Sequence, residues 1–180
     1  NNIKEEVIET SVKKLLTDIL EYDNVVNEFF LPVLKSKVED PKEETTKYTV
    51  SKKWDDNNKT DSRPDYVVFR LFGFPKNDTE AQKVYNDLEN CLKNKEYKTI
   101  SSKIKDRTIG QYQYKGDINV RADDGWQEAT WYNLSKDYNY FAWEFGNVDG
   151  YDITNAEVSN NNTKLTITNK KDTEHGETEM

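Results

Sequence analysis

Residue types able to do chemistry are scarce in this chain, and the scarcity narrows the choices. A single cysteine, Cys91, allows no internal disulfide. A single histidine, His175, all but removes a zinc cluster or a histidine-based triad. What remains is amine, carboxylate and carboxamide chemistry, and strand parity says where to look for it. Tyr48, Val50, Lys52 and Trp54 alternate with Thr49, Ser51 and Lys53, so a strand that buries Tyr48 and Val50 also turns Lys52 inward. By the same rule Tyr140 and Ala142 carry Glu144 inward, and Leu165 and Ile167 carry Asn169. An isolated buried ammonium or carboxylate is strongly unfavourable, so each needs a partner or must lose its charge. Two readings are open at this level: a buried Lys–Glu pair capped by Asn, or strand ends that fray into solvent. A one-residue slip of register would exchange Lys52 for Lys53.

Other candidate sites are weaker. The Asp55–Asp61 run lacks the central glycine and distal glutamate of a calcium loop, and Asp123-Asp124 reads as a turn. No metal or cofactor is expected, and no nucleophile–base pair suggests a hydrolase.

The elements that would position the three polar residues follow from periodicity. Ile3 to Tyr22 has apolar residues at helical spacing, and Val25 to Leu34 reads as extended. Glu39 to Lys47 is charged, contains Pro41 and reads as a linker. From Tyr48 the period becomes two, with further strands expected at Tyr66–Phe72, Tyr112–Val120, Gln127–Tyr132, Tyr138–Phe145 and Lys164–Thr168. Turns fall at Asp123-Asp124-Gly125 and Asp149-Gly150. Short strands at this spacing predict a mainly β fold, an antiparallel Ig-like sandwich. Asp78 to Lys105 breaks the pattern with Ala81, Val84, Tyr85, Leu88 and Leu92 at helical spacing, and Asn77 with Glu80 predicts its capping box. Phe141, Trp143 and Phe145 lie on the strand face opposite Glu144, and Val84, Leu88 and Leu92 of the inserted helix are expected to cover them.

Composition bounds the rest. The 180 residues carry 26 Lys+Arg against 34 Asp+Glu, a net charge of −8 that argues against a nucleic-acid partner. Only 34% of residues are hydrophobic, but 12% are aromatic, so the core is expected to be thin and rich in rings. No apolar run approaches a membrane span and no signal peptide is present, so the chain is expected to be a mature fragment of something longer.

Ser51-Lys52-Lys53-Trp54-Asp55-Asp56 with the polar loop ending in Arg63-Pro64 resembles the opening strand and loop of Cna B-type domains. These are β-sandwich modules of Gram-positive surface adhesins and pilins. Gly125-Trp126, Tyr132-Asn133-Leu134-Ser135-Lys136, Tyr140-Phe141-Ala142-Trp143-Glu144, Gly150-Tyr151 and Leu165-Thr166-Ile167-Thr168-Asn169 resemble later motifs of the family, in its order. Ala142 stands where the family has a β-branched residue and Ser135 where it has Pro. The resemblance covers Tyr48 to about Lys171. It implies a spontaneous isopeptide bond between Lys52 as nucleophile and Asn169 as electrophile, with Glu144 as proton shuttle. It also implies a structural stalk or spacer at the cell surface or wall, not a turnover enzyme, and a monomer within a longer multidomain chain.

Under that resemblance the domains are residues 1–46, a helical and extended segment with linker, either the end of a preceding adhesive domain or a partner-binding arm; 47–172, the sandwich with its insertion at about 78–105; and 173–180, a polar tail. A host matrix protein or glycan would be met through neighbouring domains. The alternative is a binding module that uses Trp126, Trp131, Tyr132, Phe141 and Trp143 as exposed stacking surfaces.

Overall fold

The computed structural model describes residues 2–21 and 43–173. The chain divides into two units at Glu43/Glu44. In the first, Asn2–Glu21 forms one helix, α1, as its spacing predicts; Val7, Ile8, Val12, Leu15 and Leu16 on it are exposed. The extended segment expected at Val25–Leu34 lies outside the described residues. No helix among the described residues is long and apolar enough to cross a membrane.

In the second unit the period-two alternation becomes β1 (Thr45–Asp55), which buries Tyr48, Val50 and Lys52 on one face. The strand starts earlier than its apolar residues indicate, inside the expected linker. Thr45 and Thr46 pair with Ser135 and Leu134, and the backbone ladder needs no apolar side chain. Next come β2 (Tyr66–Pro75), three helices α2 (Thr79–Lys93), α3 (Tyr97–Lys103) and α4 (Arg107–Gly110), and β3 (Ile118–Arg121). The chain closes with β4 (Ala129–Ser135), β5 (Tyr138–Glu144), β6 (Tyr151–Ser159) and β7 (Lys164–Lys171). Two sheets result, ordered β4-β1-β7-β6 and β3-β2-β5, and their facing sides share one core. The fold is mainly β with helical parts.

The structure differs from the sequence expectation in several further places. The sandwich is not wholly antiparallel: β1 and β7 run parallel, from Thr49 opposite Lys164 to Asp55 opposite Lys170. Of the expected Tyr112–Val120 strand only Ile118–Val120 forms, continuing to Arg121. Tyr112 and Tyr114 touch β2 through two backbone hydrogen bonds, to Gly73 and Leu71, before the chain leaves. The contact depends on Gly73, where a Cβ would lie 2.5 Å from the Tyr114 ring. Strand β6 has no counterpart in the expectation, because a bulge between Ile153 and Asn155 shifts its inward side chains from Ile153 to Ala156 and Val158 and hides the period. Finally, Asp78 rather than Asn77 caps α2, accepting from the Ala81 N–H at 3.0 Å.

Register fixes which face of the three-stranded sheet meets which layer. Phe69, Leu71 and Gly73 of β2 stand opposite Glu144, Ala142 and Tyr140 and face the other sheet. Arg70, Phe72 and Phe74 stand opposite Trp143, Phe141 and Asn139 and face away. That outer side is covered by the helices, so Phe141 and Trp143 are buried. Leu88, Ala81 and Cys91 of α2 and Ile100 of α3 supply the buried apolar surface, with Val84 and Leu92 packed at its margin. The Trp143 indole donates to Ser101 Oγ at 3.0 Å, and Asn139 Nδ2 to Gln82 Oε1 at 2.6 Å. Phe145 lies at the edge of this layer under Arg70, whose guanidinium carbon is 3.5 Å from the ring centre. Leu88→Ala removes fully buried methyl groups and is expected to cost about 2–5 kcal/mol; an unchanged urea midpoint would show that the helical layer does not stabilise the sheet beneath it.

Candidate functional site

Lys52 comes from β1, Asn169 from the adjacent parallel strand β7, and Glu144 from the end of β5 in the opposite sheet. All three are buried, at 5%, 1% and 2% exposure respectively. Parity puts them on inner faces, and the parallel register sets Ile167 beside Lys52 and Asn169 beside Trp54. Lys53 is exposed, so the register is the one that makes Lys52 the inward amine.

Glu144 joins the trio. Lys52 Nζ donates to Glu144 Oε2 at 2.8 Å, and Asn169 Nδ2 donates to Glu144 Oε1, also at 2.8 Å. Each carboxylate oxygen thus holds one nitrogen, which brings the amine and the carboxamide to a common anion. Burial drives the Lys52 ammonium down from its ordinary value of 10.5 to about 8, against the opposing attraction of Glu144. A substantial fraction of neutral amine therefore exists in mildly alkaline solution. Asn169 Oδ1 is buried and has no hydrogen-bond partner. A cleft of about 470 Å³, bounded by Tyr97 and Ser101 of α3 and by Tyr151, reaches Glu144 and Asn169 from outside.

The end of the trio beyond Lys52 is closed by rings and a buried ion pair. The Trp54 ring lies 4.7 Å from Lys52 Nζ and meets Trp126 and Tyr151 edge-to-face, both at 4.9 Å between centres. The Tyr151 hydroxyl donates to Asp56 Oδ2 at 3.0 Å. Arg63 grips both oxygens of the same carboxylate at 2.7 Å. The Arg63 hydrogen bonds hold the Asp56 carboxyl down at about 2, with burial opposing and Tyr151 assisting. Asp55–Asp61 reads in the sequence as a solvated loop, in which nothing singles out Asp56 by residue type alone. The signal available was an acid directly after the strand with Arg63-Pro64 at the loop's far end, where the guanidinium can turn back.

The surface expected as a stacking platform does not form. Phe141, Trp143 and Trp131 are buried and Trp126 is half-buried, which leaves Tyr132 exposed at 63%. The first two are covered by the helices, and the Trp131 indole is tied to the Gly116 carbonyl at 2.8 Å.

No protein-family model matches the sequence, and no curated protein does. Among solved structures, two B repeat units of the collagen binding protein of Staphylococcus aureus are similar at 21% identity and a TM-score of 0.42 over 71% of this chain. The RrgB pilus protein of Streptococcus pneumoniae is similar at 15% identity and 0.41 over 71%. The pilus adhesin SpaC of Lactobacillus rhamnosus GG is similar at 14% identity and 0.38 over 72%. The chain spans 26%, 15% and 12% of the length of those three. At scores this low, the chemistry is read from the chain's own side chains.

Asp56 supplies a test of the closing network. Its folded value lies below the 3.8 of a free aspartate, so its contribution to stability is complete above about pH 4 and is lost as the pH falls through about 2. The gap in urea midpoint between the wild type and Asp56→Asn is therefore expected to be wide at pH 6 and to narrow towards pH 2. A gap independent of pH would mean that the carboxylate is not held by Arg63 in solution.

Proposed function

We propose that the chain is a Cna B-type module, a structural stalk or spacer of a Gram-positive surface adhesin or pilin, hardened by an isopeptide bond that it forms itself between Lys52 and Asn169. The observation that carries this reading is the buried contact of amine, carboxylate and carboxamide through the two oxygens of Glu144.

The chemistry needs no external reagent. Lys52, its charged form disfavoured by burial, loses its proton to solvent and becomes a neutral amine. Its lone pair attacks Asn169 Cγ, forming the Nζ–Cγ bond. Glu144 moves protons from the attacking nitrogen to Nδ2, the Cγ–Nδ2 bond breaks, and ammonia leaves. The fold replaces turnover with proximity, since amine and carboxamide are held on adjacent strands before reaction. Each chain reacts once, and no catalytic turnover follows. The product amide closes a loop of the chain between its first and last strands, constraining the unfolded state as a disulfide would, and it survives reduction. A host matrix protein or glycan would then be engaged by neighbouring domains, with this module serving as a monomeric segment of a longer surface-exposed chain.

Intact mass of the denatured, reduced protein tests the reading. A deficit of about 17 Da, one ammonia, is expected from the displacement. Lys52→Ala, Asn169→Ala and Glu144→Ala should each restore the sequence mass, and Lys53→Ala should retain the deficit. A wild-type mass equal to the sequence mass overturns the proposal.

The rate carries a second prediction. When the unreacted chain is refolded across a pH series, the deficit should appear faster as the pH rises and level off above about 8, where the Lys52 amine is largely neutral. A rate independent of pH between about 6 and 9 would show that loss of the Lys52 proton does not limit attack.

A further inference from the structure

Two buried side-chain polar atoms among the described residues have no hydrogen-bond partner: Trp54 Nε1 and Asn169 Oδ1. The indole nitrogen can only donate and the carboxamide oxygen can only accept. They belong to residues that are direct partners in the β1–β7 ladder, on the face that also carries Lys52. Strands in a ladder run roughly 4.8 Å apart, so the two side chains stand next to each other at the reacting end of the site. A lone unmatched donor or acceptor is a local defect. An unmatched donor and an unmatched acceptor on registered neighbours suggest a hydrogen bond that forms only in another state.

The isopeptide reaction supplies that state. As the Lys52 lone pair adds to Cγ, the carbonyl π electrons move onto Oδ1, which carries negative charge until the carbonyl re-forms and the Cγ–Nδ2 bond breaks. Glu144 is badly placed to neutralise that charge, because its oxygens are taken up by Lys52 Nζ and by Asn169 Nδ2. Resting on the isopeptide reading above, we propose that Trp54 is a catalytic residue whose indole N–H donates to Asn169 Oδ1 as the tetrahedral intermediate forms. A donor beside the atom where charge develops, at a buried site, favours the transition state over the ground state. Such bonds are commonly long or misaligned before reaction and tighten as the charge appears. The ring is held in place by two others. Trp126 and Tyr151 pack on it edge-to-face, and Tyr151 is itself anchored on the Asp56–Arg63 pair. The face of the ring lies towards Lys52 Nζ, which it attracts without offering a competing acceptor for the amine protons.

The test starts from unreacted full-length chain recovered in denaturant. Refolding begins by dilution at about pH 8, where the Lys52 amine is available, samples are quenched in acid, and intact mass follows the loss of ammonia. Trp54→Phe keeps an aromatic ring and removes the N–H, and is expected to slow the reaction by at least about a hundredfold, the lower end of what loss of an oxyanion donor costs. Benzothienylalanine at position 54, with sulfur in place of the N–H at nearly the same shape, should slow it by a similar factor and covers the case in which Phe disturbs packing. The same two substitutions in a Lys52→Ala background, where no bond can form, report through the urea midpoint whether the unreacted fold is kept. If either folded variant loses ammonia at the wild-type rate, the Trp54 proposal is overturned while the isopeptide reading stands. If the wild type never loses ammonia, both fall together.

Discussion

The structure turns on a single carboxylate placed where a carboxylate is costly. Glu144 sits between two sheets and is made tolerable by one cation and one amide, each drawn from a different strand of the opposite sheet. Remove any member and a charged or polar group is left buried without its partner, a loss of several kcal/mol in typical interiors. The registers of three strands are therefore coupled through one contact: slipping β1 by a residue would bring Lys53 inward, and slipping β7 would withdraw Asn169. An arrangement this dependent on alignment is poorly explained as a device for stability alone, since apolar residues would pack the same space at lower cost. It is what the proposed reaction of Lys52 with Asn169 would require.

Around this contact the molecule is organised to bury all three side chains, with one cleft left leading to Glu144 and Asn169. The opposite sheet supplies the inner face that carries Glu144, and the helical layer seals the reverse side of the same strand through Trp143, Leu88 and Ile100. Beyond Lys52, the rings of Trp54, Trp126 and Tyr151 close that end of the site. The ion pair between Asp56 and Arg63 ties the loop after β1 to β6 through Tyr151, which makes this closure a property of two distant parts of the chain.

Much of the site was legible in the sequence, because period two is a strong constraint. Once Val50, Ala142 and Ile167 are assigned inward, Lys52, Glu144 and Asn169 have no other face to take. The insertion and its role in covering Phe141 and Trp143 followed from the same logic applied to the other parity. Sequence reading failed where the pattern is broken or is not carried by side chains. The bulge in β6 shifts its parity midway, and Tyr112 and Tyr114 mimic a strand while making only a brief crossing over Gly73. Strand direction has no signature in periodicity, so the parallel pairing of β1 and β7 was invisible. The unmatched atoms of Trp54 and Asn169 were equally hidden, since alternation assigns a face but not the direction in which an indole nitrogen points.

The parallel pairing has a consequence of its own. In β1 the chain enters the unit, and in β7 it approaches the unit's far end, so the two strands point the same way side by side over seven registered pairs. Tension applied through the two ends draws β1 backwards and β7 forwards along their common axis. The ladder is then loaded in shear: its hydrogen bonds must yield together, whereas an antiparallel hairpin pulled from its open end unzips one bond at a time. Even before any covalent link is counted, the terminal strands are joined in the geometry that resists being slid apart.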